Sequence, residues 1–167
     1  MSDNAASAPK SGGFAGLIHW AVSLCEKVPY WLIALTGRIG VAGVFWKSGQ
    51  TKIEGFGVNL ATGETQFGLP KLSDSAVMLF REEYKMPMPE VLAPLAAFAE
   101  HFFPFLILIG LATRFSAIAL LVMTLVIQIF VYPTSYPEHS VWAAIFLMLI
   151  AYGPGLFSVD HLIKKNS

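Results

Sequence analysis

An acidic side chain and an imidazole stand next to each other in a long apolar stretch of this sequence. Residues 93–114 carry Glu100 and His101 near their middle and end with Gly110 and Arg114. Ionisable groups inside a membrane-length apolar run are energetically costly, and they mark a functional site by default. A carboxyl and an imidazole can both exchange protons. The pair therefore predicts a polar site within a membrane.

Neighbouring residues point in different directions from a helix. Glu100 and His101 are about 100° apart around the axis, so they cannot both enter one narrow slot. We expect Glu100 to be buried and paired with a cation of the first membrane helix, either Lys47 or Arg38. His101 then faces another helix or lipid. Lys47 points into the bundle or its mouth, or else snorkels to the headgroups, and Lys52 is expected to snorkel.

The composition is that of a membrane protein. The chain has 167 residues, of which 55% are hydrophobic and 13% charged, and its mean hydropathy is +0.61. Soluble domains carry about 25% charged residues. The net charge is zero, which indicates no nucleic-acid partner. The single cysteine, Cys25, excludes an internal disulfide and a cysteine-only metal site, and no metal site is predicted.

Four apolar runs reach the roughly 20 residues that a membrane-spanning helix needs. We therefore predict an all-α integral membrane protein, a four-helix bundle in a lipid bilayer. The bundle is accompanied by an N-terminal interfacial helix and a short amphipathic helix in the first loop. The four runs are residues 28–51, 91–113, 115–132 and 140–159.

The first 27 residues do not have the pattern of a secretory signal. Their apolar part is followed by Glu26 and Lys27, and no Ala-x-Ala site comes after it. The predicted organisation is a disordered tail, an interfacial amphipathic helix, a four-helix domain and a C-terminal tail. These four parts are residues 1–13, 14–27, 28–162 and 163–167.

Within the first membrane helix, small residues lie on one face. That face is made by Thr36, Gly40, Gly43, Lys47 and Thr51. Small side chains let a neighbouring helix approach closely, so this face is predicted to pack inside the bundle. It also leaves room for a homo-oligomer.

The first loop contains a short amphipathic helix. Val77, Phe80 and Tyr84 follow helical spacing, and Ser73 or Asp74 is a plausible N-cap. This helix is predicted to lie over one mouth of the bundle, with Tyr84 as a site candidate there. Further candidates at the mouth are Glu138, His139 and Trp142, which follow the third membrane helix.

The third membrane helix carries a polar stripe. Thr124, Gln128 and Tyr132 are spaced four residues apart on an otherwise apolar rod. Buried polar side chains require partners, so this stripe is predicted to face the interior. Gln128 and Tyr132 therefore join the intramembrane candidates, together with Glu100, His101, Arg38 and Lys47.

With these helices placed, the chain resembles the DoxX family of membrane proteins. The resemblance covers residues 30–162. It is carried by Gly37-Arg38, Trp46-Lys47-Ser48-Gly49-Gln50-Thr51-Lys52, Leu79-Phe80-Arg81-Glu82-Glu83-Tyr84, Ala99-Glu100, Gly110-Leu111-Ala112-Thr113-Arg114, Gly153-Pro154-Gly155 and Ser158-Val159-Asp160-His161.

The resemblance implies a four-helix protein of the bacterial inner membrane. Some members of the family are similar to subunits of quinone-linked oxidoreductases, including thiosulfate:quinone oxidoreductase, and many have no assigned reaction. Lysine and arginine residues near the helix ends favour cytoplasmic termini, by five residues against four.

Two functions remain open at this point. The chain is either a membrane subunit of a quinone-linked oxidoreductase system, with a polar site around Glu100, or a non-catalytic anchor, scaffold or export component for a partner protein, peptide or metal. The first function requires an apolar slot with polar groups that contact the quinone oxygens. The second requires only the bundle and its polar interior, and it is compatible with a protein partner or a homo-oligomer.

Overall fold

The structure, a computed structural model, describes residues 13–59 and 63–166 and is mostly helical. The chain divides into two compact units, residues 1–30 and 31–167. Helix α1, Phe14–Cys25, belongs to the first unit and has no buried side chain along its length. The predicted disordered tail, residues 1–13, falls outside the described residues except for Gly13. The predicted C-terminal tail, residues 163–167, is helical as far as Asn166.

The remaining elements alternate long helices with short connections. They are α2 at Tyr30–Gln50, β1 at Ile53–Val58, β2 at Thr65–Leu72, α3 at Asp74–Met78 with a π-helical turn at Leu79–Glu83, α4 at Pro89–Ile109, α5 at Thr113–Val126 with a π-helical turn at Ile127–Val131, a 3-10 turn at Pro133–Ser135, α6 at Tyr136–Tyr152 and α7 at Val159–Asn166.

Two of these stretches, α4 and residues 113–131, are long and apolar enough to cross a membrane, and α1 with α2 adds a third if the two form one span. Helix α6 has 17 residues, slightly fewer than the roughly 20 of a full span. The outward side chains of α4 and α5 are large and apolar, which suits lipid contact. They include Val91, Leu95, Phe98, Phe102, Phe105, Phe115, Ile118, Val122 and Leu125.

Helix α2 packs through the face opposite to the predicted one. Gly40 and Gly43 have open space around them, whereas Val41 and Phe45 are buried. The ring of Phe45 contacts Phe146 of α6, with centroids 5.8 Å apart. Within a bilayer, helices associate through van der Waals packing, and these larger side chains make more such contacts than glycines. The prediction for this face was therefore wrong.

A β-hairpin follows α2, where only turns and a loop were predicted. Strands β1 and β2 pair antiparallel, with Phe56 opposite Phe67. The two strands approach so closely at Gly55 and Gly68 that a Cβ on Gly68 would lie 2.6 Å from the Gly55 carbonyl oxygen. The hairpin brings its last residues back to the end of α2, where the Ser73 amide donates to the Lys52 carbonyl at 2.9 Å.

The segment after α6 holds the turn between α4 and α5. The Asp160 carboxylate accepts from the amides of Ala112 and Thr113 at 2.8 and 2.9 Å. In return the Asp160 amide donates to the Gly110 carbonyl at 2.8 Å. Asp160 thus satisfies amides at the start of α5 that have no partner within the helix.

Arg38 of α2 reaches the same region and is 2% exposed. Its guanidinium donates to the carbonyls of Ile107 and Leu108 at the end of α4, at 2.8 and 2.5 Å. It also donates to Pro154 and Phe157 at 3.1 and 2.7 Å. A cation is favourable beside the unpaired carbonyls of a helix C-terminus, so Arg38 joins three segments of the chain.

Candidate functional site

Glu100 lies in the middle of α4, and its carboxylate is paired with Lys52. The Lys52 Nζ is 2.6 Å from Glu100 Oε2, and the two side chains are 6% and 3% exposed. This corrects two predictions, because the partner of Glu100 is neither Lys47 nor Arg38, and Lys52 does not snorkel. The chain reverses direction just after α2. The Lys52 side chain therefore lies against the last turn of α2, beside Ser48, and does not extend toward the headgroups.

Ser48, one helical turn before Lys52, completes the polar group. Its hydroxyl donates to Glu100 Oε1 at 3.2 Å. The Lys52 ammonium also contacts the Ser48 hydroxyl and carbonyl at 3.1 and 3.3 Å. Both carboxylate oxygens and the ammonium are therefore partnered. A buried ion pair requires such additional hydrogen bonds because desolvation of two charges is costly.

His101 points to a different set of partners. Its Nε2 is 2.8 Å from Gln50 Nε2, and its Nδ1 is 2.6 Å from the Ala97 carbonyl. The Gln50 Oε1 accepts from the Val58 amide at 2.7 Å, so the Gln50 amide nitrogen must donate to His101. The carbonyl of Ala97 can only accept. The imidazole is therefore neutral, with its proton on Nδ1.

Gly49 permits the close approach of α2 to α4 at this level. A Cβ on Gly49 would lie 2.7 Å from His101 Cε1 and 3.1 Å from Glu100 Cβ. The Trp46 ring packs edge-on against the His101 ring at 5.0 Å. The imidazole is therefore held between α2 and its own helix.

A cavity of about 630 Å³ lies beside the Lys52–Glu100 pair. Most of its wall is apolar. The polar residues on the wall are Ser48, Lys52, Tyr84, Glu100, Tyr132, Ser135, Glu138 and His139, and aromatic rings come from Phe45, Phe80, Phe103 and Trp142. A cavity of this size and polarity is typical of a small-molecule site.

Two tyrosines connect the cavity wall to the surface. The Tyr132 hydroxyl donates to Glu83 Oε1 at 2.9 Å and lies 3.4 Å from the Tyr84 hydroxyl. The two rings are in edge-to-face contact at 5.7 Å. Burial raises the pKa of Tyr84, and its hydrogen bond with Tyr132 acts in the same direction. Glu83 is exposed, so this group reaches water.

His139 and Gln128 form a second polar contact near the same end of the cavity. The His139 Nδ1 is 2.6 Å from Gln128 Oε1, and the Gln128 amide nitrogen donates to the Pro133 carbonyl at 2.7 Å. The His139 ring packs at 4.9 Å from Trp142. Gln128 therefore orients His139 and does not itself line the cavity.

The structure separates the sequence candidates into three groups. The cavity wall brings together Glu100, Tyr132, Tyr84, Glu138, His139 and Trp142. His101 and Gln128 lie just behind this wall. Arg38 holds backbone carbonyls elsewhere, and Lys47 is exposed in a separate groove of about 550 Å³ beside the hairpin.

Sequence reasoning missed Lys52, Ser48, Gln50 and Glu83. The four-residue spacing of Ser48 and Lys52 was a usable signal, because such residues share a helix face. Within residues 13–59 and 63–166, no group of three or more His, Cys, Asp or Glu residues is placed to hold a metal ion.

The apolar spans and the buried polar groups place the chain among integral membrane proteins. A DoxX family model matches residues 33–133, which is more than half of the chain. The chain belongs to the DoxX family. Neither the curated proteins nor the solved structures gave a match.

Proposed function

We propose that the protein binds a quinone in the cavity beside Lys52 and Glu100, as a membrane subunit of a quinone-linked oxidoreductase system. The observation that carries the proposal is a buried ion pair on the wall of a mostly apolar cavity. In this proposal α2, α4, α5 and α6 form the four-helix bundle in a bacterial inner membrane, and α1 lies in the interface.

The residues present suit a quinone. Its flat ring fits among Phe45, Phe103 and Trp142, because aromatic rings stack or pack edge-on. Its two oxygens need hydrogen-bond donors, which Lys52 and the Tyr84 hydroxyl supply. The cavity volume of about 630 Å³ lies within the usual range of small-molecule sites, roughly 300–1,000 Å³.

When bound, a quinone accepts two electrons and two protons per molecule. The electrons come from a redox partner protein, so the chain itself serves to bind the quinone and move protons. Lys52 can exchange its longer contacts with Ser48 for a quinone oxygen while it keeps the 2.6 Å contact with Glu100. Charge-assisted hydrogen bonds of this kind are the strong ones.

The two tyrosines and Glu83 supply the route by which protons from water reach the quinone in the cavity. Tyr84 and Tyr132 line the cavity, and the Tyr132 hydroxyl is bonded to the exposed Glu83. Hydroxyl and carboxylate groups in contact can pass protons along hydrogen bonds. His101 has no part in this route, since both of its nitrogens are occupied by Gln50 and Ala97.

The proposal is tested by titrating the reconstituted protein with decylubiquinone and following the quenching of its tryptophan fluorescence, to which Trp142 on the cavity wall contributes. Glu100→Gln combined with Lys52→Met removes both charges together. We expect this double variant to bind at least tenfold more weakly, which corresponds to one charge-assisted hydrogen bond of about 1.5 kcal/mol or more. Glu82→Gln is the matched control, because Glu82 is exposed and the chemical change is the same.

Two outcomes would overturn the quinone proposal. One is a wild-type protein that neither binds decylubiquinone nor retains quinone on purification. The other is a double variant that binds as well as Glu82→Gln. Either result would favour the alternative function, a non-catalytic anchor, scaffold or export component for another protein.

A further inference from the structure

The cavity wall includes side chains that also face outward from the protein. Leu95 of α4 and Val122 of α5 both line the cavity, and they are 58% and 55% exposed. A side chain can do both only at the edge of an opening. The cavity is therefore open sideways between α4 and α5.

Lipid is what lies outside this opening. Helix α4 and residues 113–131 are the stretches of the described chain that are each apolar enough to span a membrane. Their outer faces carry large apolar side chains, such as Phe98, Ile118 and Leu125. The surrounding bilayer therefore meets the cavity directly.

Packing between α4 and α5 explains where the opening lies. The two helices join at a turn, and near it the rings of Phe103 and Phe115 are in contact at 5.9 Å, which closes the seam. Farther from the turn than Phe115, the wall contains the small side chains of Ala99 and Ala119, which lie one helical turn from Leu95 and Val122 respectively. Ala119 of α5 and Phe103 of α4 are the same number of residues away from the turn, so they lie side by side on the two antiparallel helices.

The far end of the cavity has the opposite character. Tyr132 and Glu138 line the cavity beyond Leu95 and Val122, and the Lys52–Glu100 pair on its wall is buried, unlike the two residues at the opening. A ligand that matches the cavity therefore has a polar head at this end and an apolar tail at the opening.

We propose that the cavity takes its ligand from within the bilayer, through a lateral opening bordered by Leu95 and Val122, and that the ligand is an amphiphile whose tail remains in that opening. This inference rests on the proposed function for the identity of the head, and on the cavity geometry alone for the opening. The tail meets apolar surroundings on both sides of the opening, so the opening governs access more than affinity.

The test uses Trp142 as an optical probe inside the cavity. Trp20, Trp31 and Trp46 are replaced by Phe, and the protein is reconstituted in phosphatidylcholine with brominated or unbrominated acyl chains. Bromine quenches tryptophan fluorescence on contact. We expect loss of Trp142 emission in the brominated lipid, and recovery of that emission in the variant Ala119→Phe, which places a ring in the opening beside Phe103.

Ile118→Phe is the matched control. It adds the same ring at the neighbouring position, which is exposed and lies outside the cavity wall. We expect its quenching to equal that of the starting protein. Because Ala119→Phe could disturb folding, Ala99→Phe closes the opening from the opposite helix, and thermal unfolding is measured for each variant.

The outcomes separate this inference from the quinone proposal. Equal Trp142 emission in both lipids, or equal quenching in a folded plugged variant and in Ile118→Phe, would overturn the lateral opening. Quenching that is relieved by the plug, combined with no binding of decylubiquinone, would support the opening and overturn the quinone proposal. Normal decylubiquinone binding without quenching by the brominated lipid would support the quinone proposal and overturn the lateral opening.

Discussion

Gln50 connects the β-hairpin to the middle of α4 by accepting from the amide of Val58 at 2.7 Å and donating to His101 at 2.8 Å. One side-chain amide thereby determines which nitrogen of the imidazole carries the proton. It also fixes the position of the hairpin relative to α4, the helix in which Glu100 stands next to His101. The position of the hairpin and the geometry of the buried ion pair are therefore linked through the last turn of α2.

The first prediction concerns the tautomer of His101. We expect nitrogen NMR of the labelled, reconstituted protein to report a neutral imidazole protonated on Nδ1, because the Ala97 carbonyl requires a donor there. The variant Gln50→Ala should lose this fixed state and roughly 1–3 kcal/mol of stability, as two hydrogen bonds are removed. Gln66→Ala, on the exposed part of the hairpin, is the control. A charged or Nε2-protonated imidazole in the wild type would contradict the assignment.

The second prediction concerns the Lys52–Glu100 pair. Each single change, Lys52→Met or Glu100→Gln, should lower the free energy of unfolding by about 3–5 kcal/mol, because it leaves a buried charge without its partner. The double variant should lose much less than the sum of the two. Unfolding in mixed micelles measures all three.

Lys47→Met is the control for that cycle, since Lys47 is exposed and should change stability by about 0.5 kcal/mol or less. If the stability loss of the double variant equals the sum of the losses of the two single variants, Lys52 and Glu100 are not energetically coupled.

The third prediction compares two glycines of α2. Gly49→Ala should destabilise the protein by about 1–3 kcal/mol, because the new methyl group overlaps the His101 ring. Gly43→Ala should instead stabilise it by roughly 0.5–1 kcal/mol, because nothing lies within 4 Å and alanine favours a helix. Thermal unfolding measures both. Equal signs for the two changes would be inconsistent with the packing described for α2.

The fourth prediction concerns Arg38. Arg38→Lys keeps the charge but loses the planar set of donors that contacts four carbonyls. We expect a loss of roughly 3 kcal/mol from hydrogen bonds that a lysine cannot replace. Arg114→Lys is the control, because Arg114 is exposed and its hydrogen bond to the Ala151 carbonyl is long at 3.4 Å. Similar losses for the two variants would contradict the role given to Arg38.

The fifth prediction concerns alkaline pH. Burial raises the pKa of Tyr84 above its ordinary value of 10.0, so folding favours the neutral phenol. The stabilisation that this supplies is complete below pH 10.0 and is lost as the pH rises above that value. Tyr84→Phe should therefore unfold with a weaker dependence on pH in this range. Tyr136→Phe, at an exposed position, should leave the alkaline loss unchanged.

Sequence reasoning located the polar site because ionisable groups inside an apolar run need partners. The structure buries Glu100 and pairs it, but with Lys52, which lies beyond the end of α2. That choice depends on the chain reversal at Thr51 and on the hairpin that follows. The strands are rich in glycine and lack regular alternation of apolar residues, which is the signal by which a strand is normally found.

The inner face of α2 could not be chosen from small residues alone. Gly40 and Gly43 permit close packing, but they do not require it. Arg38 decides the matter, because its guanidinium needs the carbonyls at the end of α4, and those are separated from it by 69 and 70 positions in the sequence. Contacts of such long range are determined by the tertiary fold and leave no local pattern.

The contact between Asp160 and the turn from α4 to α5 also concerns the order of events during synthesis. Ala112 and Thr113 leave the ribosome well before Asp160, since 47 positions separate Thr113 from Asp160. Until then the first amides of α5 have no carboxylate partner from the chain, and Arg38 lacks the carbonyls of Pro154 and Phe157. The helices can enter the membrane one after another, but their common end is completed only after the segment that carries Pro154, Phe157 and Asp160 has been made.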